Sequence, residues 1–424
     1  MKSYQKRLIE QLLLKFIPLA PVILVEGAKA VGKTETCKKL SKTIYNLDKE
    51  NQRQLLSLEP EIIQNDAPPV LIDEWQNVPE LWNSLRRQVD DGLPKGSVIL
   101  TGSSPRFYKD LHSGSGRIIK FKMRPYSIQE RNMSDEYISI YDLLMGQTKI
   151  DVKRVQLSMN DYIEEIYKSG FPGIRVEDDD FIIELLNGYI DNIITHEFQE
   201  NGLVIKKPVA LMEWLRAFAS VNATNASFSS IIQIAMSNSL EAPTRITGNY
   251  YREALELLNI IEEVPTWLPI GKLTKNLAKT PKHFMLDTAL MTTLLNVKKE
   301  DLAYARVPKE IGKYNKTFLG QIFESFVYQS LRVYADIHRA DLSHLRTSQG
   351  DREIDFIMQL GRKLLAIEVK AKISIDNDDI KHLIWFEEQV KEEYQVTKII
   401  VYAGEFAYTR EDGVHLIPAC LLGL

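Results

Sequence analysis

The sequence predicts an α/β protein organised on a parallel sheet, and three short apolar runs carry that prediction. Val22-Ile23-Leu24-Val25 ends at Gly27, Val70-Leu71-Ile72 ends in Asp73-Glu74, and Val98-Ile99-Leu100 ends in Thr101-Gly102-Ser103-Ser104. Such unbroken apolar character suits strands buried on both faces. Helical periodicity over residues 34–45 and 79–89 separates the runs. Strands alternating with helices build a parallel sheet whose ligand lies at the carboxyl ends of the strands. Each of the three runs ends in residues suited to such a site.

At about 100–200 residues per domain, a chain of 424 residues predicts two to four domains. Apolar residues at 44% and charged residues at 26% exclude a disordered, collagenous or fibrous chain. With 53 Lys+Arg against 57 Asp+Glu the formal charge is −4, so no global positive field exists and any nucleic-acid contact must be local. Cys37 and Cys420 are far apart and in no CxxC or Cys/His cluster, which excludes a disulfide scaffold and a thiolate zinc site. Lys2, Lys6 and Arg7 precede an apolar stretch, as in a signal peptide, but Glu10, Lys15, Pro18 and Pro21 interrupt it. No other window approaches membrane-spanning length. These features predict a soluble, unprocessed, cytoplasmic protein with no membrane partner.

After Arg124-Pro125 the pattern becomes helical over 162–167 and 181–197, broken by the turn Ser169-Gly170-Phe171-Pro172-Gly173. This reads as an all-helical lid. Three short helices over 209–220, 229–236 and 244–258 precede a strand-like stretch at 260–267, the order of a winged helix-turn-helix. A last α/β region follows, with a helix around 323–334 and strands over 354–358, 364–369 and 398–402. The expected domains are therefore a core over 1–124, a lid over 125–204, a winged helix over 205–270 and a C-terminal domain over 271–424. The presumed recognition helix offers Arg245 and Arg252, but Glu241, Glu253, Glu256 and Glu262-Glu263 surround them. Phosphate binding needs a net positive strip, which favours packing over DNA reading here. His112, His283 and His382 show no ligand spacing.

Gly27-Ala28-Lys29-Ala30-Val31-Gly32-Lys33-Thr34 satisfies GxxxxGK[ST] between a predicted strand and a predicted helix. The glycines let backbone N–H groups turn around the β- and γ-phosphates of a nucleotide, and the following helix aims its positive end at them. Lys33 would neutralise phosphate charge and Thr34 would ligate Mg²⁺. Asp73 would hold the metal shell, and Glu74 would orient or deprotonate the attacking water. Thr101-Gly102-Ser103-Ser104 reads either as a phosphate sensor, with Ser103 as its residue, or as a plain turn. Arg117, after Gly114-Ser115-Gly116, is either an arginine finger or a surface arginine. If it is a finger, action within its own subunit and action across an interface both stay open.

The blocks VILVEGAKAVGKT, VLIDEWQNVPELWNSLRRQVD, VILTGSS, SGSGRIIKFKMRPYS, SGFPG, TPKHFMLDTAL, GQIFESFV, RTSQGDREIDFIM and LLAIEVKA span nearly the whole chain. In this order they resemble the AAA-type P-loop ATPases of bacteria and archaea that carry a C-terminal PD-(D/E)xK nuclease-like domain of uncharacterised function. The resemblance implies an AAA-type ATPase core, a helical lid, a winged-helix middle domain and a restriction-endonuclease-like α/β end. It also argues for ATP over GTP. At His196-Glu197 the relatives look like Arg-Asp, so no role is assigned there.

Glu324, Asp355 and Glu368-Val369-Lys370 have the order of the PD-(D/E)xK core. Residues two apart on a strand share a face, so Glu368 and Lys370 point together while Ile367 and Val369 pack inward. Asp355 and Glu368 would bind Mg²⁺, Lys370 would position the nucleophile, and Glu324 would add a ligand or fix the metal shell. ExK alone fits an amphipathic strand equally well. Two functions are thus expected: an Mg²⁺-dependent ATPase controlling a nuclease-like domain that acts on nucleic acid, or an ATPase switch whose nuclease-like domain only binds a protein or nucleic-acid partner. Both readings admit a homo-oligomer.

Overall fold

In the computed structural model, residues 4–102, 116–198, 203–205, 207–238, 243–269, 277–303 and 318–424 are described. Ser103, His112 and Glu241 lie outside them. All three apolar runs form strands: β1 (Val22–Glu26), β3 (Val70–Asp73) and β4 (Val98–Gly102). They are joined by β2 (Thr43–Asn46) and β5 (Ile118–Lys122) in a parallel sheet of order β2-β3-β4-β1-β5. The two added strands are its edges. The helix expected over 34–45 stops at Leu40, and Thr43–Asn46 turns extended beside β3. An edge strand is half covered, and with Ile44 exposed β2 lacks the unbroken apolar run that marks a central strand.

Both faces of this sheet are packed. Val22, Leu24, Ile72 and Leu100 meet Trp75, Trp82 and Leu85 on one side. The last two come from the helix Glu80–Asp90, one turn apart. Ile23, Val25, Leu71 and Ile99 face Cys37 of the helix Lys33–Leu40 on the other.

The stretch expected as an all-helical lid carries helices but is not all-helical: long turns separate them, and it includes β6 (Ile138–Ser139) and β7 (Lys153–Arg154). Its helix Met159–Tyr167 starts at a capping box made by Ser158 and Asp161. The helix Asp179–Asn192 continues into a π-helical turn at Ile193–Glu197. Helices Pro208–Ser220, Phe228–Asn238 and Arg245–Leu257 then lead to β8 (Ile261–Val264), which pairs antiparallel with β9 (Lys282–Met285). That hairpin straddles residue 270, where the sequence suggests a boundary.

The C-terminal sheet is formed by β10 (Asp341–Arg346), β11 (Glu353–Leu360), β12 (Lys363–Lys370), β13 (Gln395–Tyr402), β14 (Phe406–Thr409) and β15 (His415–Pro418). With β7 at its edge the order is β10-β11-β12-β13-β15-β14-β7. β16 (Leu422–Gly423) pairs separately with β6. The helix Phe318–His338 and the helix Asn377–Val390 both pack against β12. Among the described residues no helix is long and apolar enough to cross a membrane.

One buried carboxylate joins these parts. Glu262 of β8 accepts from Lys122 Nζ at 2.5 Å, from Tyr328 Oη at 2.8 Å, and from the Arg124 guanidinium. Arg124 also meets Asp336 of the helix Phe318–His338 at 2.9 Å. Burial pushes the Glu262 carboxyl up, but the charges of Arg124 and Lys122 outweigh it and hold the group well below the usual carboxylate range. Breaking a buried pair by removing one partner costs about 3–5 kcal/mol. Glu262→Gln should therefore lower stability by roughly 3 kcal/mol at neutral pH, read from urea unfolding midpoints. The native carboxylate's contribution is present above the ordinary glutamate range and lost as pH falls through its depressed value. The gap between the native protein and the variant should accordingly narrow in acid.

Candidate functional site

The GxxxxGKT motif leaves β1 at Glu26 and turns sharply into a helix. Gly27 lies at φ +154°, where a Cβ would collide with the Met123 carbonyl oxygen, so the loop needs a glycine there. Ala30 at φ +63° and Gly32 at φ +97° complete the turn before the helix begins at Lys33. Lys33 is buried, and its Nζ donates to the carbonyls of Gly27 at 2.8 Å and Ala28 at 2.9 Å. Burial lowers its pKa, while the charges of Glu74, Glu197 and Asp73 act the other way.

Asp73 and Thr101 are partners in the β3–β4 register, and the Thr101 hydroxyl donates to Asp73 Oδ1. Thr34 Oγ1, on the helix after the loop, donates to the same oxygen at 2.8 Å. Two hydroxyls and a carboxylate meeting at a helix N-terminus form a hard-oxygen donor set, of the chemistry that suits Mg²⁺. Glu74 leaves the strand in the left-handed region, at φ +56°, and its carboxylate accepts from Gln76 Nε2. Burial raises its pKa, with Lys33 opposing.

Lys29, Lys33, Thr34 and Glu74 line one cavity of about 1080 Å³, together with Pro172 and Arg175. Arg117 is not among its lining residues; its Nε pairs at 2.6 Å with Asp90 Oδ1, at the end of the helix Glu80–Asp90.

Three residues given no site role in the sequence reading touch this loop or act on it. Arg7 donates to the carbonyls of Val31 and Arg124 at 2.6 Å each, and its Nε pairs with Glu130 at 2.8 Å. Tyr189 Oη donates to the Lys29 carbonyl at 3.3 Å. Glu197 is buried in the π turn, accepts from Asn192 at 3.1 Å, and acts on Lys33 through its charge. Their partners in the loop lie too far along the chain for any spacing to reveal them, although π turns recur at functional sites.

The C-terminal candidates form two groups. Lys370 is folded onto Glu368, two residues away on β12. Asp355 and Glu324 instead meet Lys282 of β9, whose Nζ is 3.0 Å from Asp355 Oδ1 and 2.9 Å from Glu324 Oε1. The second Asp355 oxygen accepts from the Val369 N–H at 3.0 Å. Among the described residues no three His, Cys, Asp or Glu side chains are arranged to hold a metal ion.

Comparison with known proteins supports the ATPase core. Residues 20–132 match the family described as an AAA domain, and the chain thus carries an AAA-type P-loop ATPase core. Residues 159–301 and 319–422 match two domains of unknown function, DUF8612 and DUF4143. No curated protein matches the sequence. Among solved structures, the Walker-type ATPase of Pyrococcus abyssi is 16% identical, with 69% of this chain and 96% of that one covered at a TM-score of 0.42. The Aeropyrum pernix Orc1 protein in complex with DNA is 12% identical over 69% and 93% of the chains, at a TM-score of 0.25. Cdc6p from Pyrobaculum aerophilum is 14% identical over 70% and 97%, at 0.23.

Two substitutions separate the roles at the nucleotide site. Lys33→Ala should abolish tight ATP binding, measured by calorimetry. Glu74→Gln should bind ATP yet hydrolyse it about 10²–10⁴-fold more slowly, the usual range for a lost general base. Because the base must be ionised, activity falls as pH drops through its pKa. Since that pKa is raised, the acid limb of the native kcat/KM profile should lie above the range of an ordinary glutamate, and Glu74→Gln should remove it.

Proposed function

We propose that the protein is an Mg²⁺-dependent ATPase switch whose nucleotide state is passed to a C-terminal α/β module that binds a protein or nucleic-acid partner, in the cytoplasm. In this reading the ammonium of Lys33 exchanges the Gly27 and Ala28 carbonyls for β- and γ-phosphate oxygens. Thr34 and Asp73 would hold the Mg²⁺, which supplies charge neutralisation to the phosphates. Glu74 takes a proton from the water that attacks the γ-phosphorus as the bond to ADP breaks. Residues 125–204 act as the lid, and the three helices with the β8–β9 hairpin act as a winged-helix unit used for packing.

The observation that carries the switch is the position of Arg7. One of its guanidinium nitrogens donates to Val31 in the nucleotide loop and another to the carbonyl of Arg124. The Arg124 side chain in turn bonds Glu262 of β8 and Asp336 of the C-terminal helix. A displacement of the loop is thus two residues away from the far domain, and coupling between sites needs such differential contacts.

A second reading, in which the ATPase controls a nuclease, rests on the order of Glu324, Asp355, Glu368 and Lys370. The ion pairs that Lys282 makes with two of those acids favour binding over cutting.

Hydrogen exchange on the Glu74→Gln protein tests the switch. ATP should change protection in β8 and in Phe318–His338, and Arg7→Gln should weaken that change while ATP still binds. Unchanged exchange outside the ATPase core in the ATP-bound protein would leave an ATPase without the proposed switch.

A further inference from the structure

We infer that the acidic centre of the C-terminal sheet carries its cation within the chain: the Lys282 ammonium stands where a divalent ion would be needed, making the centre a charged joint to the β8–β9 hairpin. The inference stands apart from the ATP site.

Lys282 is 1% exposed. Its Nζ lies 2.9 Å from Glu324 Oε1, 3.0 Å from Glu353 Oε1 and 3.0 Å from Asp355 Oδ1. An ammonium has three protons, and three carboxylates from the helix Phe318–His338 and β11 surround it. The Phe356 ring centroid lies 5.6 Å from the same nitrogen. A buried ammonium is costly unless paired and hydrogen-bonded, and this one is both.

While Lys282 occupies the centre, the same oxygens do not fit a divalent ion. Mg²⁺ holds its oxygens at about 2.0–2.1 Å in a near-octahedral shell and usually keeps several waters. An ion bound by these oxygens would sit against the ammonium. Repulsion between a divalent ion and an ammonium at that separation is severe in a buried setting. Both Asp355 oxygens are already engaged, one by Lys282 and one by the Val369 N–H. Glu368, the other expected ligand, is paired with Lys370. His344 supports the picture: burial and then the nearby Lys282 charge push its pKa down to about 3, so the imidazole stays neutral beside the ammonium.

The joint also explains the hairpin. β9 pairs with β8, which carries Glu262, so one two-stranded unit contributes an anion to the ATPase edge and a cation to the C-terminal sheet. Removing Lys282 would leave carboxylates crowded together, and a divalent cation would relieve their repulsion.

Mn²⁺ titration of the full-length, nucleotide-free protein, with bound ion counted by electron paramagnetic resonance, tests this. The native protein and Asp355→Asn should bind the same amount. Lys282→Met should gain one further Mn²⁺ per chain, and the double variant Lys282→Met with Asp355→Asn should lose it. The inference is overturned if the native protein binds an ion that Asp355→Asn removes, or if folded Lys282→Met gains none. Where Lys282→Met fails to fold, the native and Asp355→Asn titrations decide: equal binding supports the joint and a lost ion overturns it. Plasmid DNA incubated with native protein and Mn²⁺ should remain intact; cutting that Asp355→Asn abolishes would also overturn the inference.

Discussion

Charge buried between segments must find a partner, and that constraint organises this molecule. Glu262 has almost no access to water, yet its carboxylate collects Lys122 and Arg124 from the edge of the ATPase sheet and Tyr328 from the C-terminal helix. None of these groups is satisfied unless β5, the β8–β9 hairpin and Phe318–His338 come together. The apolar core alone would tolerate sliding, because hydrophobic contact is non-directional. Charge-assisted hydrogen bonds are directional and fix the relative placement. A further bond in the same region, from the Ile128 N–H to Ser330 Oγ at 2.8 Å, repeats the connection a few residues away.

The nucleotide loop obeys the same economy in miniature. Lys33 turns back onto carbonyls of its own loop, so the buried ammonium is already paired in a geometry that a phosphate can take over. Thr34, Asp73 and Thr101 form a preset hydroxyl–carboxylate–hydroxyl group from a helix and two adjacent strands. Placement on regular elements holds such groups more firmly than a loop would. Tyr189 and Glu197 bring the helix Asp179–Asn192 and the π turn after it to the loop, one through a hydrogen bond to Lys29 and the other through its charge on Lys33.

The C-terminal domain shows why an order of residues is weaker than a constellation. Glu324, Asp355, Glu368 and Lys370 stand in the sequence as a metal-dependent nuclease core would have them. In three dimensions a lysine from another strand meets two of the acids and a neighbouring lysine meets a third. Function belongs to the site and not to the fold that carries it, and one inserted cation is enough to alter the chemistry of a carboxylate cluster.

By itself the sequence determined the central strands β1, β3 and β4, the helix Glu80–Asp90, most later helices and the phosphate-binding loop. Each is written in contiguous residues: an apolar run, a 3.6-residue period, or a glycine at a turn of fixed length. It also placed Thr34, Asp73 and Glu74 at a common end of the sheet, because parallel strands bring their carboxyl ends together. The tertiary structure alone decided the edge strands β2 and β5, the short β6 and β7, the pairing of β8 with β9 across the expected boundary, and the partners of Arg7, Glu197 and Lys282. Arg7 reaches a carbonyl 117 residues away, and Lys282 reaches Asp355 across 73. Pairing over such separations leaves no periodic trace, and which carboxylate receives a buried cation is settled only when packing has closed off the water that would otherwise have solvated both.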